Sequence, residues 1–298
     1  MRIAKGLTKD DAFRWRVSGH VPRTLRGVLA SPTGRLGLFL VLVIGVLVVV
    51  GPFVSPKSPS EIVGAPFMKP SSSALLGTDF LGRDGLSRFL VGGGTLIVGA
   101  FLATALAYVV GIPIGMAAGY LRGSVDLGVV GIADLIISFP PIVFILVLLA
   151  GAGSGLTVVV IAIATVYVPR IVRIVRAVTM EIAAREFVEA AVARGERFGA
   201  ILWRDILPNI WTPVLADIGI RLTGAVIVVS SISYLGLGPP PPAANWGLMI
   251  SENRLGALTQ PWVVVVPALT IGIFAIGVNL VADAVARSVG RSIVGRGV

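Results

Sequence analysis

The sequence predicts an all-α, polytopic membrane protein built as a six-helix bundle. Three observations carry that reading: a shortage of charge, six long apolar runs, and the placement of basic residues between them. Of 298 residues, 55% are hydrophobic and only 13% are charged, with a mean hydropathy of +0.94. A soluble domain carries roughly 25% charged residues, so the chain lacks the charge that a fully water-facing surface needs.

Crossing roughly 30 Å of hydrocarbon takes about 20 apolar residues in a helix. Six stretches meet that requirement, at 36–54, 90–119, 127–150, 156–174, 213–235 and 262–281. A 35-residue basic segment precedes the first, and only Gly51-Pro52-Phe53 follows it rather than a small-x-small cleavage site. It therefore reads as an uncleaved anchor. Ahead of it, Phe13, Trp15 and Val17 among Arg14 and Arg16 point to a segment lying on the membrane interface. The second stretch is longer than a crossing needs, so Gly92, Gly93 and Gly94 are expected at the interface. Pro113 in the second, and Pro140 with Pro141 in the third, are expected to kink their helices.

Orientation follows from where Lys and Arg lie. With the N-terminus inside, eight basic residues precede the first stretch, Arg122 lies in the second loop, seven fall between the fourth and fifth stretches, and three lie in the tail. That places 19 inside, against five outside: Lys57, Lys69, Arg83, Arg88 and Arg254. Both termini are expected to be cytoplasmic.

Several function classes drop out. The net charge of +10 is dispersed in topogenic blocks, not in a stripe with interleaved aromatics, so nucleic acid is not an expected partner. The chain has no cysteine and one histidine, His20, read as an ordinary surface residue. No Gly-Lys dipeptide occurs, so no phosphate-binding P-loop is present. No HExxH motif or nucleophile elbow appears either, and the chain is expected to be non-catalytic with no cofactor of its own. Within the apolar stretches, Asp217 and Arg221 stand four apart near the inner end of the fifth, where they neutralise each other. Asp134, Asn279 and Asp283 lie near stretch ends, leaving an ion-driven mechanism little to work with.

The loop at 170–211 is long, charged and helical in pattern. Phe187, Ala190, Ala191 and Arg194 share one helical face, opposite Glu186, Glu189 and Ala193, and Gly195 is suited to the left-handed residue that ends a helix. A second short helix at 198–207 is expected to stop at Pro208. On amphipathicity alone the loop is either a connector on lipid or a docking surface. At 77–88, Gly77, Gly82 and Gly85 with Asp79 and Asp84 read as a turn capping the second stretch in preference to a substrate site. Pro239–Pro242 is a stiff four-proline run that either presents the following segment to a partner or covers the bundle.

Three blocks carry a family resemblance. Glu189-Ala190-Ala191 with Gly195, then Leu207-Pro208, resembles the EAA loop of ABC importer permeases. Leu76-Gly77-Thr78-Asp79 with Leu81-Gly82-Arg83-Asp84, and Ser233-Tyr234-Leu235-Gly236-Leu237-Gly238 with Asn245-Trp246-Gly247, resemble the C-type permease of dipeptide, oligopeptide and nickel transporters. The similarity runs over residues 26–291. Two positions depart from the family pattern, Asp205 where a histidine is common and Val229 where a glutamate is common.

The resemblance implies a type I importer permease domain at 36–283, a basic segment at 1–35 and a cytoplasmic tail at 284–298. External loops would lie at 55–89 and 236–261. It implies that Glu186, Glu189, Ala190, Ala191, Arg194, Gly195, Leu207 and Pro208 couple the chain to one or two ATPase subunits, which hold the ATP and Mg. It further implies a second, B-type permease subunit, a peptide substrate, and an extracytoplasmic binding protein met by Asn245, Trp246, Gly247, Glu252 and Asn253. Nickel chelates or another small solute stand as the alternative cargo, and an ion-coupled carrier as the rival mechanism.

Overall fold

The computed structural model describes residues 27–239 and 243–294, and helices dominate them. The elements are α1 (Pro32–Val54), α2 (Gly85–Leu121), α3 (Gly123–Ile137), α4 (Pro141–Ala152), α5 (Leu156–Ala183), α6 (Glu186–Ala193), α7 (Leu207–Tyr234), α8 (Trp246–Asn253) and α9 (Trp262–Val294). A short helical turn, Phe198–Ala200, and a π-helix, Ile201–Ile206, lead into α7. The expectations placed on Phe13, Trp15, Val17, His20 and residues 240–242 lie outside the described residues.

Among the described residues, five helices are long and apolar enough to cross a membrane: Pro32–Val54, Gly85–Leu121, Leu156–Ala183, Phe198–Tyr234 and Trp262–Ser288. The sixth expected crossing, 127–150, is a broken pair. α3 and α4 meet at an 88° bend. The break falls at Ser138–Pro140 because a residue ahead of proline is driven out of the helical region, and Pro141 then opens α4 as its first residue. Pro113 lies inside α2, which runs unbroken through it.

Four adjustments follow from local chemistry. α1 starts at Pro32, where the Ser31 hydroxyl accepts from the Gly34 amide at 3.0 Å. α5 runs to Ala183, so the loop expected from 170 begins inside a helix. Pro208 does not end a helix: the π-turn widens the coil so that the Leu207 amide reaches the Leu202 carbonyl, and the helix continues through to Tyr234. Local widening of this kind accommodates a ring that would otherwise clash four residues back. α9 likewise continues past the expected tail boundary to Val294.

The bundle is organised around α2, which touches α1, α3, α5, α7, α8 and α9. Its closest partner is the parallel helix α5. A methyl group added to Gly111 would sit 2.7 Å from Ile171, one on Gly115 2.7 Å from Val175, and one on Gly119 2.9 Å from Thr179. Glycines four apart thus accept side chains four apart, the row-into-row packing by which helix backbones approach closely. α1 and α9 repeat the device in antiparallel: Gly37 faces Leu280 and the Gly277 carbonyl, and Gly34 faces Ala284.

Gly115→Ala is expected to destabilise the bundle, because its methyl would meet both Val175 and, at 2.9 Å, the Val172 carbonyl. Overpacking of this kind costs about 1–3 kcal/mol. Gly128→Ala, with nothing within 4 Å of the added methyl, is expected to be neutral or stabilising. Thermal unfolding of the solubilised protein distinguishes them, and equal midpoints would refute the seam.

Candidate functional site

At the end of the bundle where α5 finishes, α6 stands off as a short helix with its own closure. The Glu196 amide donates to the Ala191 carbonyl (3.2 Å) and the Gly195 amide to the Val192 carbonyl (2.9 Å), with Gly195 at φ +74°. This paired closure requires a left-handed residue after the cap, which glycine supplies without strain. The packing face is Val188 and Ala191, both buried, against the π-helix with Ile201, Leu202 and Ile206. Of the face expected from spacing, only Ala191 points inward, while Phe187, Ala190 and Arg194 are exposed. Glu186 and Glu189 are exposed in the first turn, where the positive end of the helix dipole favours acids. Arg194 donates to Glu196 at 2.6 and 3.0 Å. Leu207 and Pro208 stand apart from this helix, at the head of α7. A ring contact between Tyr120 and Phe198 (5.6 Å) ties the second arm to the end of α2.

The opposite end is a folded cap made by residues 55–84 and α8. Asp84 caps α2, its carboxylate accepting from the Ser87 amide (2.9 Å) and hydroxyl (2.6 Å), as the sequence implies. Asp79 accepts from the amides of Leu81 and Arg83 at 2.9 and 2.8 Å and pairs with Arg83 at 2.6 Å. Arg88, fully buried, lies 3.3 Å from Asp79 and donates to Glu252 at 2.9 Å; Arg83 reaches Glu252 at 3.2 Å. Burial pushes the Glu252 carboxyl above the usual carboxylate range, with Arg88 and then Arg83 pulling it back.

Trp246 is the second fastener. Its indole donates to the Phe89 carbonyl at 2.7 Å and stacks on the Phe89 ring at 5.5 Å. A methyl on Gly93 would sit 2.4 Å from that indole, and one on Gly92 3.1 Å. Gly92 and Gly93 are therefore a seat for Trp246. Asn245 caps α8 and donates to Thr95 at 2.9 Å, and Asn253 accepts from the Phe80 amide at 2.9 Å. The five residues expected to meet a binding protein are thus turned inward: Asn245, Trp246, Gly247 and Asn253 are buried, and Glu252 is largely so. In the segment that follows, Arg254, Leu255, Leu258 and Thr259 are exposed.

Between the two ends, Asp217 and Arg221 lie within α7, which begins ahead of Pro213. Arg221 bonds Asp217 at 3.1 Å, and the Tyr108 hydroxyl donates to the same oxygen at 2.6 Å. Two further pairs join α3 to α5, Asp126 with Arg176 and Asp134 with Arg173. Among the described residues, no group of three His, Asp or Glu side chains is placed to hold a metal ion.

Residues 111–295 match the family described as binding-protein-dependent transport system inner membrane component. The chain belongs to that family. The dipeptide transport system permease protein DppC of Alkalihalophilus pseudofirmus is 30% identical over 249 residues, 83% of this chain and 82% of that one. The peptide transport system permease protein SapC of an Escherichia coli strain is 29% identical over 281 residues, 92% and 95% of the two chains. An inward-facing structure of the MetNI methionine ABC transporter superposes with a TM-score of 0.52 at 17% identity, covering 68% of this chain and 96% of that one. That last likeness is one of fold. The resemblance drawn from the three motif blocks is borne out, and the chain is an integral inner-membrane permease.

Sequence reasoning missed the buried charge cluster of this permease. Arg83 and Arg88 counted only as loop charge, although two arginines within a glycine-rich turn containing two aspartates were a signal for internal pairing. It also missed Arg122, which joins α2 to α3 with φ 55° and ψ −161°, a region almost reserved for glycine.

Glu252→Ala leaves two buried guanidiniums sharing Asp79, and breaking a buried pair from one side costs about 3–5 kcal/mol. The expected readout is a lower unfolding midpoint with faster protease cleavage in 55–84. Glu252→Gln, which keeps an acceptor, is expected to lose less. Since burial raises Glu252 above its unfolded value, its contribution is greatest at acid pH and declines as pH rises through the folded pKa. Glu252→Gln is expected to flatten that dependence. A steeper loss of stability toward acid in wild type than in the variant would refute the assignment.

Proposed function

We propose that this chain is one of two related permease subunits of an ATP-driven importer of short peptides. The observation that carries the reading is α6: a helix closed by its own glycine turn, held on the bundle by Val188 and Ala191, and offering Glu186, Glu189, Ala190 and Arg194 outward. A rigid knob on the end of a membrane bundle is suited to a groove in a soluble motor domain. The small side chains of Ala190 and Ala193 permit close approach. Family membership, with its dependence on a binding protein, supports an import direction. The peptide cargo rests on relatives named for peptide and dipeptide transport.

In this reading α6 faces the cytoplasm, as the 19-to-5 distribution of basic residues favours, and both termini lie there. One or two kinds of ATPase dock on α6, carrying the ATP and Mg. A B-type permease completes the path, with lipid around the pair. The binding protein docks on the opposite cap, meeting Leu255 and Leu258 while the buried Asn245, Trp246, Gly247, Glu252 and Asn253 hold their segment in place. Closure of the ATPases moves α6 and rocks the bundle between inward and outward access.

Affinity purification of the tagged chain from its native membrane is expected to recover a second permease, a Walker-motif ATPase and a binding protein loaded with peptide. A nickel chelate in that binding protein would replace the cargo; recovery without any ATPase would sink the importer reading. Gly195→Pro cannot adopt φ +74°. It is expected to abolish most uptake while ATP hydrolysis persists, and Glu189→Lys to weaken uptake in the same sense. Normal uptake by an assembled Gly195→Pro complex would refute the role of α6.

A further inference from the structure

α4 is too short to cross a membrane alone. Its 12 residues span about 18 Å, against roughly 30 Å of hydrocarbon. It leaves α3 at 88°. Its two ends lie at nearly one height on α7. Ile142, in the first turn, shares a groove with Ser231 and Leu235 near the end of α7. At the other end, after a three-residue turn, Leu156 opens α5 level with Val229. Both of those side chains lie within 4 Å of the point where a methyl on Gly99 would stand. α4 therefore runs across the bundle on the side of the cap. Its first turn covers the groove that α7 forms with Gly247 and Ile250 of α8 and Ile271 of α9.

Both ends of α4 are suited to turning. Pro140 and Pro141 have no amide hydrogen, so the helical ladder is cut between α3 and α4. At the far end Gly153 and Gly155 stand at φ +88° and +144°, with nothing within 4 Å of an added methyl at either. Hinges are a few element-terminal residues that absorb changes in φ and ψ. Between them, Ile145 and Leu149, one turn apart, are the buried residues of α4, and α5 is the helix on which it rests. Ile142, Val143 and Val147 are exposed. α5, in turn, is held in register on α2 by the glycine row. A helix with two buried side chains thus lies on a fixed support, and elements that move are drawn from those with few buried contacts.

We propose that α4 is a hinged lid on the cap side of the bundle. It turns about Pro140–Pro141 and Gly153–Gly155, carrying Ile142 into and out of the groove between α7, α8 and α9 as the transporter turns over. The structure holds the lid with Ile142 in the groove. Val143 and Val147 oppose the motion little, since apolar side chains gain or lose little on passing between lipid and protein. The lid rests on the reading of the chain as an ATP-driven importer, and it names the element that opens and shuts the end away from α6.

The chain has no cysteine, so Ile142→Cys with Ile271→Cys places two thiols in a subunit otherwise free of them. The test is ATP-driven uptake of trialanine by the complete transporter in proteoliposomes. The double variant and wild type are each treated with a reducible bifunctional methanethiosulfonate or with its monofunctional methyl analogue. The bifunctional reagent is expected to bridge the two residues, read by mass, and to remove most uptake relative to treated wild type. Dithiothreitol is expected to restore it, and the monofunctional reagent to leave uptake largely intact. Bridging without loss of uptake would overturn the lid. Failure to bridge would do the same, since the two side chains line one groove. Equal inhibition by the monofunctional reagent would show that filling the groove, and not holding α4, stops transport, and would also overturn it. Absence of ATP-driven uptake in untreated wild type would instead overturn the importer reading beneath, a result seen before any reagent is added.

Discussion

The close approach of α2 and α5 is the constraint on which the remaining geometry depends. Inside a bilayer the apolar side chain gains little by leaving lipid for protein, so helices are held by contact density and not by the hydrophobic effect. The repeat Gly111, Gly115, Gly119 supplies that density by removing every side chain between the α2 backbone and Ile171, Val175 and Thr179. Because the two helices are parallel and matched at every fourth residue, they meet as a register and not at a single crossing point. Any sliding of one along the other must lift the side chains of α5 out of a whole row of seats. The pair is therefore the stiff part of the molecule. α6 leaves directly from the end of α5, and Tyr120 on the end of α2 meets Phe198 beyond the turn. A force on α6 is delivered to both helices at once.

The far end uses different chemistry because it faces a different problem. Residues 55–84 contain few large apolar side chains in regular array, and a loop of that length loses much conformational freedom when it folds. Polar groups replace the missing core. Asp79 alone accepts from two backbone amides and the Arg83 guanidinium and lies in ion-pair range of Arg88, and Trp246 fills the space that Gly92 and Gly93 leave open. Such a cluster contributes little net energy, since desolvation offsets attraction, but it penalises alternatives strongly because each partner left alone is a buried charge. The result is one arrangement for the cap, fastened to the first turns of α2.

What could be read from the sequence divides along the same line. The crossings were legible because hydrocarbon thickness acts on runs of residues that lie together in the chain, and the closure at Gly195 was legible because it is decided by one residue's φ. The seam was not, although its glycines were in plain view: a repeat of small residues states that something approaches closely, but not what. Trp246 and Glu252 were expected outside because they sit in an external loop, yet their partners Phe89, Arg83 and Arg88 lie more than 150 residues away in the chain. The break between α3 and α4 was half legible. Two adjacent prolines announce a disturbance but not its size, and the 88° bend is seen only with α4 placed, its Ile145 and Leu149 buried.

The position of Arg221 then follows from the stiffness at either end. A charged group at mid-bundle is tolerable only where its partners cannot drift away, and Tyr108 belongs to α2 while Tyr167 belongs to α5. The seam at whose end α6 leaves the bundle is thus the same one that holds two of the arginine's three neighbours at fixed separation. α7, which carries Asp217 and Arg221, contacts both seam helices less extensively and joins α9 along its other side. If α2 and α5 move as a unit, the relation that changes is the one between them and α7, and that is where the charged pair sits.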